Sequence, residues 1–247
     1  MKLVEYGKEN RDVIMLLHGG GLSWWNYRSE AELLQDRYHV VLPVLDGHAG
    51  SDADFVSIEE NARRLLSLID REYGGTVLCI GGLSLGAQVL TEMLSQRGDI
   101  CRFALIESAS VIPSPVTGAL IGPTFSSTYG LIQSKRFARL QFRYLHIRED
   151  LFEDYYRDTV GISKTNMTAF LKASTAYEMK PELRSCRACV RIAVGGKEQQ
   201  GVLRSARRLH EALPGSVLEV KKDLYHGEYS INHPEEYVKD LVKMIGV

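Results

Sequence analysis

Six short apolar, β-branched-rich runs constrain this chain more than any other feature: 12–17 (DVIMLL), 39–45 (HVVLPVL), 76–80 (TVLCI), 102–106 (RFALI), 189–194 (CVRIAV) and 216–220 (SVLEV). They are continuous rather than alternating, the pattern of strands covered on both faces. Between them the apolar spacing becomes helical. Ile58, Ala62, Leu65 and Ile69 share one face, opened by Ser57 with Glu60 three residues on, the sequence form of a capping box. Leu203, Ala206, Leu209 and Leu213 repeat that spacing, as do Tyr237, Leu241 and Met244 after Pro234, a residue suited to a first helical turn. This alternation predicts an α/β fold: a mostly parallel sheet with helices on both faces, in three layers. Leu3-Val4-Glu5-Tyr6, followed by Gly7-Lys8-Glu9-Asn10, reads as a hairpin with the 12–17 run at one edge of the sheet.

The alternation stops between 111 and 183. After Val111-Ile112-Pro113-Ser114-Pro115 come glycines and small polar residues, then helical patterns near 130–147, 149–158 and 163–179. An insertion at the carboxyl end of a sheet strand lies over the place where open α/β sheets bind ligands. Residues 111–183 therefore read as a helical lid, with 1–110 and 184–247 as the core of a single domain spanning 1–247. Phe137, Leu140, Tyr144 and Ile147 form an apolar stripe on the lid, and Arg136, Arg139 and Arg143 a basic one. The stripes describe an amphipathic helix with a solvated basic face; the sharper reading sets one arginine, such as Arg143, against a carboxylate or phosphate of the substrate.

Composition narrows the partners. Lys+Arg 30 against Asp+Glu 31 gives a formal charge of -1, which offers no overall electrostatic footprint for nucleic acid or an anionic membrane surface. No stretch reaches the roughly eighteen apolar residues of a membrane span, and the opening Met-Lys-Leu-Val-Glu-Tyr-Gly has no signal-peptide character, so a cytoplasmic location is expected. Four cysteines are too few for a disulfide framework; Cys79 lies in an apolar run, and the C-x-x-C of Cys186 and Cys189 has no second pair at zinc-site spacing. No metal or organic cofactor is implied. The sequence leaves the oligomeric state open.

Chemistry enters with Gly82-Leu83-Ser84-Leu85-Gly86, between the 76–80 strand and the helical run from Ala87 to Gln96. A serine on a strained strand-to-helix turn is held up and exposed, and glycines two before and two after it remove Cβ atoms that would meet neighbouring backbone. The helix beginning at Leu85 aims its unpaired N–H groups at any anion formed beside Ser84. A second glycine-rich loop, His18-Gly19-Gly20-Gly21, leaves the 12–17 strand. It is not a nucleotide fingerprint: Trp24 occupies the third glycine position of G-x-G-x-x-G, and no Gly-Lys-Ser/Thr follows. As an oxyanion loop it offers a backbone N–H, with Gly20 the best candidate, beside that of Leu85.

With these landmarks the chain resembles the α/β-hydrolase family, in its compact lid-bearing form. His18-Gly19-Gly20-Gly21, then Gly47-His48-Ala49-Gly50-Ser51 where the family usually has G-H-G-x-S, then the elbow at Ser84, then a late histidine, fall in that family's order. Ala49 is a departure, on a loop that does no chemistry. The resemblance implies a Ser, Asp/Glu, His triad in that chain order. His226, in Asp223-Leu224-Tyr225-His226-Gly227 after the 216–220 run, takes the histidine place, with His233 as the competitor; His18 and His48 read as loop scaffolding. The acid place falls at Gly195-Gly196-Lys197-Glu198, where Glu198 stands for the commoner Asp; Glu107, ending the 102–106 run, is the alternative. Trp24 and Trp25 either wall an acyl pocket or pack the first helix onto the sheet.

The implied activity is hydrolysis of a carboxylic ester with a small or medium acyl group, through an acyl-serine. A thioesterase, an aminopeptidase or a carbon-carbon bond hydrolase would use the same triad, and a ligand-sensing signalling protein could keep it on the same scaffold. A haloalkane dehalogenase is disfavoured, since it needs a carboxylate where Ser84 stands.

Overall fold

The computed structural model describes residues 1–119, 121 and 129–246. Its strands are β1 (Leu3–Tyr6), β2 (Val13–Leu17), β3 (His39–Pro43), β4 (Val77–Leu83), β5 (Cys101–Glu107), β6 (Cys189–Gly195) and β7 (Val217–Lys221). They form one seven-stranded sheet in the order β1-β3-β2-β4-β5-β6-β7, parallel except for β1. The helices are α1 (Arg28–Leu34), α2 (Ile58–Tyr73), α3 (Leu85–Gln96), α4 (Lys135–Tyr144), α5 (Phe152–Gly161), α6 (Lys164–Ala176), α7 (Gln200–Ala212), α8 (Glu228–Asn232) and α9 (Pro234–Ile245).

The continuity of the apolar runs has a direct cause in the layers. Met15 and Leu17 of β2 join a buried cluster with Ile58, Ala62, Leu65 and Ile69 of α2, whereas Ile14 and Leu16 join a second cluster with Leu34 of α1 and Tyr237 and Leu241 of α9. Alternate side chains thus enter opposite cores, so every position must be apolar. The 216–220 run departs from this: β7 is an edge strand, and Val217 and Val220 are exposed. The Ser57 hydroxyl accepts the Glu60 N–H at 3.1 Å to open α2, and Gly74 closes it at φ 65.

The expected amino-terminal hairpin does not form. β1 pairs antiparallel with β3, Leu3 opposite Pro43, because both edges of β2 are already taken by β3 and β4. The outer edge of β3, by contrast, is open to a further strand.

Between β5 and β6 the chain carries α4, α5 and α6, with no strand among the described residues. The expected apolar stripe holds at Ile147, which is buried, and at half-buried Phe137, and is corrected at its other two positions. Leu140 and Tyr144 are exposed, and the buried positions of α4 are Ala138 and Phe142. Phe142 packs against Phe152 and Tyr155, at ring separations of 5.3 and 5.2 Å, so the contact with α5 chooses the inward face. Arg139 pairs with Glu149 and lies over the Phe152 ring, whereas Arg136 and Arg143 are exposed. The insertion is tied to the sheet core by Arg28–Asp154 at 2.7 Å, Gln88 Nε2 to the Ser174 carbonyl at 2.9 Å and Asn166 Oδ1 to the Phe55 N–H at 3.0 Å. No described helix is long and apolar enough to cross a membrane.

Candidate active site

The turn joining β4 to α3 brings strand, serine and helix together within one residue. Ser84 has φ 52 and ψ −110, a region that non-glycine residues enter at a cost of about 1–3 kcal/mol. The glycines around it are sterically required. A Cβ on Gly82 would lie 2.6 Å from the Gly86 carbonyl oxygen, and one on Gly86 would lie 2.1 Å from the carbonyl oxygen of Leu17. The strain is held by the sheet, since the Ser84 N–H donates to the main-chain carbonyl of Glu107 at 2.9 Å.

Three side chains from three loops at the carboxyl edge of the sheet meet here. His226, after β7, places Nε2 2.9 Å from Ser84 Oγ. Its Nδ1 lies 2.6 Å from Oε2 of Glu198, which follows β6. The other carboxylate oxygen of Glu198 accepts the Ser108 hydroxyl at 2.6 Å and the Gly195 N–H at 2.8 Å. Burial favours the neutral acid at Glu198, but the hydrogen bonds and charge of His226, with those of Ser108 and Gly195, outweigh it and hold the carboxyl below its usual range. For His226, desolvation disfavours the imidazolium; the Glu198 hydrogen bond and charge win and raise its pKa above the usual 6.5.

The glycine loop after β2 is fixed by a polar scaffold. His18 accepts the Leu45 N–H at Nε2 and donates from Nδ1 to the Gly19 carbonyl; His48 accepts the Gly21 N–H, and Asn26 accepts that of Gly19. Burial pushes His18 down to about 4 and His48 down to about 3, so both rings are neutral and can accept. The Gly20 N–H, by contrast, has no backbone acceptor among the described residues. Leu85, the first residue of α3, carries one of the N–H groups a helix leaves unpaired at its start. A Cβ on Gly20 would lie 3.5 Å from Leu85 and from Phe170 of α6, whose ring stacks on His48 at 4.6 Å.

The other sequence candidates make contacts of their own. Trp25 is buried in the core, its indole donating to Asp158 at 2.8 Å, and Trp24 is half-buried with the Arg28 guanidinium 4.9 Å over its ring. Arg143 stands exposed on α4. Among the described residues none of these three hydrogen-bonds to Ser84, Glu198 or His226. Glu107 is buried and accepts the Ser230 N–H at 3.2 Å rather than meeting Nδ1 of His226, and His233 precedes α9. Ser108 escaped the sequence reading; its one signal was a polar residue immediately past the carboxyl end of a buried strand, where α/β sheets place ligand-binding groups.

A family model described as the alpha/beta hydrolase family matches residues 14–240, and the chain belongs to that family. Solved structures carry the same fold. The enol-lactonase from Burkholderia xenovorans LB400 superposes with a TM-score of 0.84 at 17% identity, covering 100% of this chain and 96% of that one. An esterase from Exiguobacterium antarcticum gives 0.83 at 17% identity, covering 99% and 95%. A thermophilic esterase from Thermogutta terrifontis gives 0.79 at 16% identity, covering 98% and 91%. No curated protein matches the sequence. Membership of the alpha/beta hydrolase family defines the class of this protein as a hydrolase.

Proposed function

We propose that this chain is a serine hydrolase that cleaves a carboxylic ester of a small or medium acyl substrate, with Ser84, His226 and Glu198 as its triad. The observation that carries the reading is the unbroken relay from Ser84 Oγ through His226 to Glu198, at 2.9 and 2.6 Å. A serine hydroxyl is a weak nucleophile until a positioned base removes its proton. His226 Nε2 takes that proton as Oγ bonds to the ester carbonyl carbon, and the carbonyl oxygen becomes an oxyanion facing the N–H groups of Gly20 and Leu85. Collapse breaks the carbon–oxygen bond to the alcohol, which leaves with the proton from His226. Water then gives a proton to His226 and its oxygen to the acyl carbon, Ser84 departs reprotonated, and the acid is released. Glu198 stays ionised throughout and fixes the imidazole tautomer.

The helices of 111–183 serve as a lid over this edge of the sheet, and the partner is a small ester-like molecule rather than nucleic acid or membrane. Four free thiols, with Cys189 exposed, suit the reducing cytoplasm. Labelling with a fluorophosphonate, followed by peptide mass spectrometry, tests the nucleophile; an adduct on Ser84 is expected, and its absence there removes the reading. A series of p-nitrophenyl esters from two to twelve carbons, run beside a thioester and a ring-cleavage dienone, tests the substrate class. Ester turnover falling with chain length is expected, and preference for the thioester or dienone redirects it.

A further inference from the structure

We infer that Glu107 and Ser108, consecutive at the carboxyl end of β5, are positioning residues that hold Ser84, Glu198 and His226 in register with one another. The inference rests on the serine-hydrolase reading above. The Glu107 carbonyl oxygen accepts the Ser84 N–H at 2.9 Å, and the Ser108 hydroxyl donates to Glu198 at 2.6 Å. The Glu107 side chain accepts the N–H of Ser230 at 3.2 Å, in the short helix α8 that begins two residues after His226. The Ser108 N–H donates to the Ala193 carbonyl on β6 at 3.0 Å, anchoring the pair to the strand from which Glu198 departs. Two adjacent residues therefore touch the nucleophile, the acid and the support of the base.

The backbone supports a positioning role. Ser108 has φ 57, and among the described residues only Ser84 and His146 share a positive φ without being glycine. Glycine would adopt this conformation with little strain. A serine kept there is accounted for by its hydroxyl, which reaches Glu198 from a buried position. Glu107 has a different character. Burial pushes its carboxyl up to about 8, so near neutral pH it is an uncharged acid that accepts from Ser230 through one oxygen. Glutamine keeps that acceptor and shape, whereas leucine removes it.

The test uses the full chain, with melting temperature, the second-order rate of fluorophosphonate labelling at Ser84, and kcat and KM on p-nitrophenyl acetate as readouts. Ser108→Gly should stay folded with a melting temperature near that of wild type, since relieved strain offsets the lost hydrogen bond to Glu198, while kcat and labelling rate fall about tenfold or more with KM nearly unchanged. Glu107→Leu should show the same kinetic loss and Glu107→Gln should restore near-wild-type rates. A merely structural role predicts the reverse for Ser108→Gly: altered melting with intact kinetics. A folded Ser108→Gly that labels and turns over within about twofold of wild type overturns the Ser108 part. A folded Glu107→Gln that is as slow as the leucine variant overturns the Glu107 part, and does so even if Glu107→Leu fails to fold. Wild type that does not label at Ser84 sinks the hydrolase reading and this inference with it. Wild type that labels beside unaffected variants sinks this inference alone.

Discussion

Oε2 of Glu198 lies 2.6 Å from Nδ1 of His226, and the two side chains differ sharply in exposure, 0% for the carboxylate and 47% for the imidazole. A fully shielded carboxylate beside a half-exposed base is held ionised by its hydrogen bonds and in turn favours the imidazolium. This fixes the sign of the pH dependence. His226 acts as a base only when neutral, so ester hydrolysis should rise with pH through a midpoint above 6.5, the direction in which its pKa is displaced. Stability follows the opposite limb for this group: its contribution is complete below 6.5 and is lost as pH rises through the raised value. The contribution of Glu198 is complete above 4.5 and is lost as pH falls through its lowered value. A rate–pH profile on p-nitrophenyl acetate checks the first statement, and a midpoint at or below 6.5 contradicts it. Glu198→Gln should shift that midpoint downward and lower kcat by about a hundredfold or more.

Ser84 should be a site where activity and stability trade against each other. Its backbone strain of about 1–3 kcal/mol is relieved by glycine, whose greater unfolded-state entropy takes back about 0.5–1 kcal/mol. Ser84→Gly is therefore expected to abolish ester hydrolysis and fluorophosphonate labelling while stabilising the fold by about 1 kcal/mol. Urea unfolding measures the balance, and a clear loss of stability would show that the serine side chain contributes more to packing than its partners suggest.

Gly86 should tolerate no side chain. A Cβ there would sit 2.1 Å from the Leu17 carbonyl and 2.6 Å from that of His18, both backbone atoms of β2 and the loop that follows it. Neither can yield without parting α3 from β2. Gly86→Ala is expected to destabilise by more than about 3 kcal/mol, above the usual range for a single substitution. It should also lower the yield of folded protein, whereas Gly74→Ala, with open space around its Cβ but a positive φ of 65, should cost only about 1 kcal/mol. Comparable denaturation midpoints for the two variants would refute the steric argument.

How much of this was legible in the sequence depended on whether the signal was local. The central sheet strands could be read because most of their positions enter one core or the other, and the elbow because its glycines answer backbone contacts set by one strand and one helix. Glu198 and His226 could be singled out only through the family resemblance, which implies the order Ser, Asp/Glu, His; the spacing alone leaves Glu107 and His233 as alternatives. The pairing of β1 could not be read: Leu3–Tyr6 looks alike whether it meets β2 or β3, and the choice depends on which edge is vacant after the crossovers are made. The inward face of α4 was likewise hidden, since Phe137, Leu140 and Phe142 are all apolar and only the rings of α5 decide which of them turns inward. Ser108 carries only the faint signal of a polar residue just past a buried strand, and its contact is with a residue ninety positions away.

Trp25 offers a test of the insertion's attachment. Its indole N–H donates to Asp158 of α5 at 2.8 Å, with both residues buried, so the pair links the segment after the glycine loop to the helical insertion. Trp25→Phe keeps most of the apolar volume and deletes the donor. The Asp158 carboxylate then loses one partner but keeps Arg157, whose nitrogen lies 2.7 Å away, so the expected cost is about 1–3 kcal/mol. Asp158→Ala should be similarly costly, and the double variant should be less destabilised than the sum of the two, since both delete one interaction. Strict additivity in urea unfolding would deny the coupling. The same variant separates the two readings of this tryptophan. If Trp25 serves packing, the p-nitrophenyl ester profile of Trp25→Phe keeps its shape from two to twelve carbons. A profile shifted toward longer chains would instead give the indole a place in the acyl pocket.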